Sequence, residues 1–446
     1  MRKLLIRGGR LVDPSTREDE RLDLLIVDGV VVERAQGIAP DGDTRVVDAS
    51  GLVVAPGLVD MHVHLREPGR EDEETIESGS RAAAHGGVTA VAAMPNTEPA
   101  IDSASWVEFV RFHESAIEVY PVAAITLVRA GERLSEMAEL SQAGAVAFSD
   151  DGSPVVNANV MRRALEYSGM VGRPIISHCE DPNLTGRGVM HEGLASTLAG
   201  LRPIPAAAEE VAVARDIILA KMTGSALHVA HVSTEGSVEL VRRAKSEGVA
   251  VTCETCPQYF TLTDDDVRSY DTNLRVSPPL RTASDVSAIK VGLADGTIDA
   301  IASDHAPHSL EEKQVEFDAA PPGMIGLETL LPLTLTQLVV PGTITLERAI
   351  ELLSTDPASI LGIPHGSLDV GEPADVTVFD PDWAWEIDAA WFRSKSRNSP
   401  FIGRKVRGRV ACTISRGEIV FEETALDGGE ARRKVEREPD ELPLHV

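Results

Sequence analysis

The order of apolar and polar positions divides the chain into three stretches. Residues 1–55 hold short apolar runs, Leu4-Leu5-Ile6, Asp23-Leu24-Leu25-Ile26-Val27 and Val46-Val47, separated by Asp28-Gly29 and Asp41-Gly42. Runs of that length between Asp-Gly turns predict β-strands. The same pattern returns near the other end, over Ala374–Phe379, Val410–Ile414 and Glu418–Phe421, so the two ends are expected to combine into one small β domain. Between them, short apolar runs alternate with longer amphipathic stretches such as Ala207–Lys221 and Ser237–Ser246. The candidate strands are Leu58–Val63, Thr89–Met94, Val119–Ala124, Ala145–Phe148, Pro174–Ser177, Ala226–Ala230, Val249–Cys253 and Ile298–Ser303. Eight such β units over about 250 residues predict an α/β chain built on a TIM-like (β/α)8 barrel. The expected boundaries are 1–55 and 365–425 for the two parts of a small β-sandwich, 56–364 for the barrel, and 426–446 for a charged tail without periodicity.

Composition narrows the function classes. With 446 residues, 43% of them hydrophobic, the chain is long enough to bury a large core. The formal net charge of −28 argues against nucleic acid or an anionic membrane as a partner, since both would be repelled. No apolar run is long enough to span a bilayer, and the opening Met1-Arg2-Lys3-Leu4 is broken by charge too early for a secretory signal, so a cytoplasmic location is expected. The four cysteines, Cys179, Cys253, Cys256 and Cys412, do not make a disulfide framework and are expected to be buried, inert thiols.

The strand ends carry the chemistry. His62-Val63-His64 closes the first candidate strand, and alternation puts both imidazoles on one face. Asp150-Asp151 follows the fourth strand, His178 the fifth, His231 the sixth and Asp304 the eighth. In a barrel of this kind all would reach the same carboxyl-end rim. Neutral imidazoles with carboxylates suit Zn²⁺. Such an ion supplies hydroxide near neutral pH and polarises an amide carbonyl. A carboxylate must then take the water's proton and pass it to the leaving nitrogen, and Asp304, in Ser303-Asp304-His305-Ala306-Pro307-His308, fits that task. His228 is expected to face away from this cluster, and His85, His113, His191, His365 and His445 to lie on the surface or behind the ligands.

Longer motifs carry a family resemblance. Val54-Ala55-Pro56-Gly57-Leu58-Val59-Asp60-Met61-His62-Val63-His64 resembles the opening signature of the amidohydrolase superfamily. Leu65-Arg66-Glu67-Pro68-Gly69, Met94-Pro95-Asn96-Thr97, Ala147-Phe148-Ser149-Asp150-Asp151-Gly152, His231-Val232-Ser233-Thr234 and Ser394-Lys395-Ser396-Arg397-Asn398-Ser399-Pro400-Phe401 are similar to the bacterial type I dihydroorotases, from about residue 3 to residue 421. The resemblance implies two Zn²⁺ ions, one on His62, His64 and Asp304, the other on His178 and His231, with Asp151 bridging. Many relatives bridge with a carboxylated lysine, but this chain has no lysine between Lys3 and Lys221. The resemblance further implies substrate contacts from His64, Arg66, Asn96, Ser277 and His308, and from Pro322 and Gly323 in a mobile loop at about Phe317–Ile325. It implies a small-molecule substrate, dihydroorotate or N-carbamoyl-L-aspartate, in pyrimidine biosynthesis, an aspartate transcarbamoylase as a protein partner, and a homo-oligomer.

Two features depart from that pattern. Ser277 stands where dihydroorotases usually show an asparagine, and Glu254-Thr255-Cys256-Pro257-Gln258-Tyr259 reads more like hydantoinases or allantoinases. The alternatives are therefore another cyclic amidohydrolase, such as a hydantoinase, dihydropyrimidinase or allantoinase, and a non-catalytic dihydroorotase-like partner of a transcarbamoylase. The second would be expected to lack metal ligands that this chain keeps.

Overall fold

The computed structural model describes residues 2–423; the expected tail at 426–446, and His445 with it, lies outside the described residues. Eight parallel strands follow in chain order: β1 (Leu58–Val63), β2 (Val88–Ala93), β3 (Glu118–Ala123), β4 (Ala147–Phe148), β5 (Ile175–Ser177), β6 (Leu227–Val229), β7 (Val251–Thr255) and β8 (Ala300–Ile301). Each pairs with its sequence neighbour. Past β8, a parallel bridge between Val63 and His305 and a 2.9 Å bond from His64 N to His305 O join the last strand to the first. The expected barrel is thus observed, with β4 and β8 shorter than the apolar runs that predicted them.

The strands read as continuous apolar runs because both faces are covered. Along β2, Val91 and Ala93 belong to a cluster shared with helices, whereas Ala90 and Ala92 belong to a second cluster made mostly of strand residues. Burial on both faces removes the polar alternation of a half-exposed strand. Local caps fix where the helices start. Thr234 Oγ1 accepts from Ser237 N at 3.1 Å and opens the helix Glu235–Ser246 three residues after His231, so the turn bearing that histidine is held by a helix N-terminus.

The chain ends meet in two sheets. One has four strands in the order Val30–Ala35, Asp23–Val27, Lys3–Arg7, Thr44–Asp48. The other has six, Glu418–Glu422, Lys405–Ser415, Val376–Glu386, Val53–Pro56, Arg10–Asp13 and Glu18–Arg21. Leu4, Ile6, Leu24 and Ile26 of the first pack with Leu11, Val54, Val376, Val378 and Ile414 of the second in one apolar cluster. Val53–Pro56 runs straight into β1 through Gly57, where an added Cβ would lie 2.1 Å from Thr89 Oγ1.

Phe379 joins the sheets to the barrel. It is fully buried and belongs to the barrel–helix cluster, while Val376 and Val378 of the same strand face the sandwich core. Phe379→Ala is expected to destabilise the protein by about 3–5 kcal/mol through lost burial and a cavity. A urea transition that keeps its midpoint would show that this contact carries no such weight.

Candidate metal centre

The six predicted ligands converge at the carboxyl ends of the strands. His62 Nε2 lies 3.2 Å from Asp151 Oδ1 and 3.7 Å from Asp304 Oδ1. His64 Nε2 lies 3.2 Å from Asp304 Oδ1 and 3.7 Å from Asp151 Oδ2. His231 Nε2 is 3.9 Å from Asp151 Oδ1, and His178 Nδ1 is 3.7 Å from that oxygen. Two overlapping triads result, His62–Asp151–His231 and His62–His64–Asp304, each with its ligand atoms within 4.8 Å of one another. Asp151 reaches all four imidazoles. Asp150 points elsewhere, accepting from Thr126 N at 3.0 Å and from the Thr126 hydroxyl.

The donor set fits a divalent cation. His62 Nε2 and Asp151 Oδ1 are both buried without a hydrogen bond, though they face each other. The ring nitrogens His178 Nδ1 and His231 Nε2 stand only 2.8 Å apart. Buried polar atoms left without partners are costly, and imidazole nitrogens around carboxylate oxygens are the ligands that Zn²⁺ and similar ions take. Burial opposes charge on Asp151, but the imidazoles of His62, His231 and His64 outweigh it and hold its carboxyl well below the usual carboxylate range. Burial likewise opposes charge on Asp304, and the imidazoles of His64 and His62 outweigh it and hold its carboxyl below the usual carboxylate range. Both carboxylates are therefore held as anions, the form that faces a cation.

A cavity of about 190 Å³ opens beside these residues. His64, Arg66, Asn96, Ser277, His308, Pro322 and Gly323, the predicted substrate contacts, all line it. Arg66 is steadied by Glu73 Oε2 at 3.1 Å and Pro307 O at 3.0 Å, with its NH2 group 3.4 Å from His308 Nε2. His308 Nδ1 lies 2.9 Å from Glu73 and 3.2 Å from Glu312. Asn96 is engaged with the ligands, its Oδ1 2.8 Å from His64 Nδ1 and its Nδ2 3.4 Å from Asp151 Oδ2. Ser277 turns its hydroxyl away to Glu180 Oε2 at 2.7 Å. The segment expected to be a mobile loop is tied down by cations. Arg275 donates to the carbonyls of Phe317, Asp318 and Ala320, and Lys313 to that of Pro321. Asn398, from the Ser394–Phe401 motif, donates to Ala306 O and Gly323 O.

Arg66, His231 and Asp304 adopt positive φ values of 61°, 37° and 48°. Such backbone is uncommon outside glycine and gathers at functional sites. Glu73, His308 and Glu312 also have metal-compatible spacing, but Arg70 already bridges Glu73 and Glu312 at 2.9 and 2.6 Å, so that charge is neutralised by arginine.

Sequence reasoning overlooked the carboxylates behind the ligands. Glu254 Oε1 lies 2.7 Å from His62 Nδ1, and its Oε2 is 3.3 Å from His228 Nε2. Burial would raise the Glu254 carboxyl, yet the adjoining imidazoles of His228 and His62 bring it to about 2. The legible signal was an acid inside a buried strand, which needs a partner. His228 stays out of the ligand cluster, as expected. His85, expected on the surface or behind the ligands, is 3% exposed and packs its Nδ1 2.6 Å from Glu328. All four cysteines are buried and free. No helix among the described residues is long and apolar enough to cross a membrane.

An eight-stranded barrel with imidazoles and carboxylates at its rim, a cavity lined by Arg66 beside them and a sandwich built from both chain ends is the architecture of the cyclic amidohydrolases. Known structures share this architecture. The L-hydantoinase (dihydropyrimidinase) from Arthrobacter aurescens superposes with a TM-score of 0.85 at 29% identity, over 95% of this chain and 96% of that one. The dihydropyrimidinase from Brevibacillus agri NCHU1002 gives 0.82 at 25%, over 94% and 95%. Sequence likeness is much higher to proteins of another name. The dihydroorotase of Pelotomaculum thermopropionicum is 54% identical over 426 residues, 95% of this chain and 100% of that protein. The dihydroorotase of Geobacter sp. strain M21 is 54% identical over 422 residues, 94% and 99% of the two chains. The family described as dihydro-orotase-like matches residues 51–237. The chain belongs to the dihydroorotase family, and the hydantoinases are its more distant structural neighbours.

Proposed function

We propose that the chain hydrolyses (S)-dihydroorotate reversibly to N-carbamoyl-L-aspartate, using two Zn²⁺ ions. His62, His64 and Asp304 would hold one ion, His178 and His231 the other, with Asp151 shared. When bound, the ions supply an activated water and an electrophile for the ring carbonyl. The remaining work belongs to side chains of this protein. Asp304 accepts the water's proton at its carboxylate and returns it to the departing ring nitrogen. Arg66, held by Glu73 and beside His308, faces the substrate carboxylate with a planar fork. Asn96 orients His64 and offers its remaining N–H to the same carboxylate. With its hydroxyl committed to Glu180, Ser277 meets the ring through main-chain groups, as do Pro322 and Gly323. On that account serine serves where asparagine is usual.

The observation that carries this reading is the pairing of Asp151 among four imidazoles with Arg66 and His308 across one cavity. The test is a panel of zinc-loaded protein against dihydroorotate, dihydrouracil, hydantoin and allantoin, with N-carbamoyl-L-aspartate for the reverse direction. Turnover confined to the two carboxylated compounds supports the proposal; preference for the uncharged rings overturns it. Arg66→Ala is expected to raise KM for dihydroorotate about 10- to 100-fold, the weight of a lost hydrogen bond to a charged group. An unchanged KM would place the carboxylate elsewhere.

A further inference from the structure

Two carboxylates outside the ligand set each face a ligand imidazole at its second nitrogen, and they choose opposite nitrogens. His62 directs Nδ1 to Glu254 at 2.7 Å and leaves Nε2 toward Asp151 and Asp304. His178 is turned over: Nδ1 faces Asp151 and His231, and Nε2 stands 3.4 Å from Glu180 Oε2. An ionised carboxylate only accepts hydrogen bonds. It therefore keeps the proton on the nitrogen it faces and leaves the other lone pair free for a cation. Glu180 is 6% exposed, and its Oε1 is buried without a partner. Its grip on the protein runs through Oε2, which also accepts the Ser277 hydroxyl at 2.7 Å. Ser277 lines the substrate cavity, and the carbonyl of the next residue, Pro278, is fixed by the Tyr259 hydroxyl at 2.7 Å. One carboxylate oxygen thus links a wall of the substrate pocket to a metal ligand.

We infer that Glu180 is a positioning residue for the cation held by His178 and His231, and that Ser277 is its anchor. Glu180 fixes the tautomer and ring orientation of His178. Ser277, by donating to Glu180, fixes the carboxylate. Ser277 therefore governs retention of an ion that it does not touch, and its hydroxyl is spent on this task rather than on reading the substrate. The inference rests on the two-ion reading above.

The experiment follows zinc release from the loaded full-length protein into a colorimetric chelator, with total metal counted by mass spectrometry. The wild type should release two ions in separable phases. Glu180→Gln should speed one phase about 10- to 100-fold, the usual effect of losing a partner behind a ligand, and leave the other phase unchanged. Ser277→Ala, a small change at a cavity wall that leaves the core intact, should speed the same phase, and Ser277→Thr should restore the wild-type rate. In the double variant, loss of Ser277 should add nothing to loss of Glu180, because the serine acts through the glutamate. Unchanged release in both single variants, or additive effects in the double variant, would overturn the inference while leaving the two-ion reading intact. A wild-type chain that holds only one ion would instead remove that reading, and the inference with it.

Discussion

Asp304→Asn is expected to lower kcat by about 10²- to 10⁴-fold, the usual contribution of a positioned acid–base group, while most of the bound metal stays in place. The backbone supports a clean test. Asp304 sits at φ 48°, a left-handed conformation that asparagine tolerates as well as aspartate, so the substitution should not disturb the turn after β8. An amide oxygen can still face His64, which lies 3.2 Å from the carboxylate. It cannot take a proton from water and hand it to nitrogen. Stopped turnover with near-normal metal content and an unchanged melting midpoint would assign the loss to proton transfer. Activity within about threefold of wild type would remove Asp304 from that role.

Asp151→Ala should have a larger effect on the metal itself. That carboxylate is the common neighbour of His62, His64, His178 and His231, at 3.2 to 3.9 Å, and its removal would leave the two proposed cations facing four neutral rings with one fewer anion between them. The expected result is loss of both ions on dialysis and loss of detectable turnover. Zinc should also stop protecting the fold. A ligand bound only by the native state stabilises by about 2.7 kcal/mol at a hundredfold excess over Kd, so the wild type should melt higher with added zinc and the variant should not. A variant that keeps two ions and their stabilisation would show that another group does the bridging.

The barrel was legible because its signal is local. A parallel strand covered on both faces is a short apolar run, and a residue just past such a run lands on the rim. That reasoning put His62, His64, the Asp150-Asp151 pair, His178, His231 and Asp304 at the rim without any long-range information; the choice of Asp151 over Asp150 came from the family resemblance. The residues it missed are defined by partners far away in sequence. Glu254 meets His62 across 192 positions, Glu73 meets His308 across 235, and Ser277 meets Glu180 across 97. No periodicity records such pairings. Glu254 even lies in a segment whose composition suggested a different substrate, yet the fold places it 2.7 Å behind the His62 ring. The role of Ser277 was obscured for the same reason: its hydroxyl is read by a carboxylate that follows β5, and only the folded chain brings the two together.

The sandwich has a consequence for the order in which the protein can be made. Val53–Pro56 pairs with Val376–Glu386, and at the adjoining junction Leu58 N donates to Thr377 Oγ1 over a separation of 319 residues. During synthesis at about 5–20 residues per second, the first strand waits roughly 15 to 60 s for its neighbour to emerge. For that interval the nascent chain exposes Val53, Val54 and Ala55, all buried in the finished protein, along an unpaired strand edge. The barrel that bears the metal ligands is translated entirely within the same wait. Val376–Glu386 thus pairs with a strand made before the whole barrel, and closes the molecule as a clasp rather than extending it.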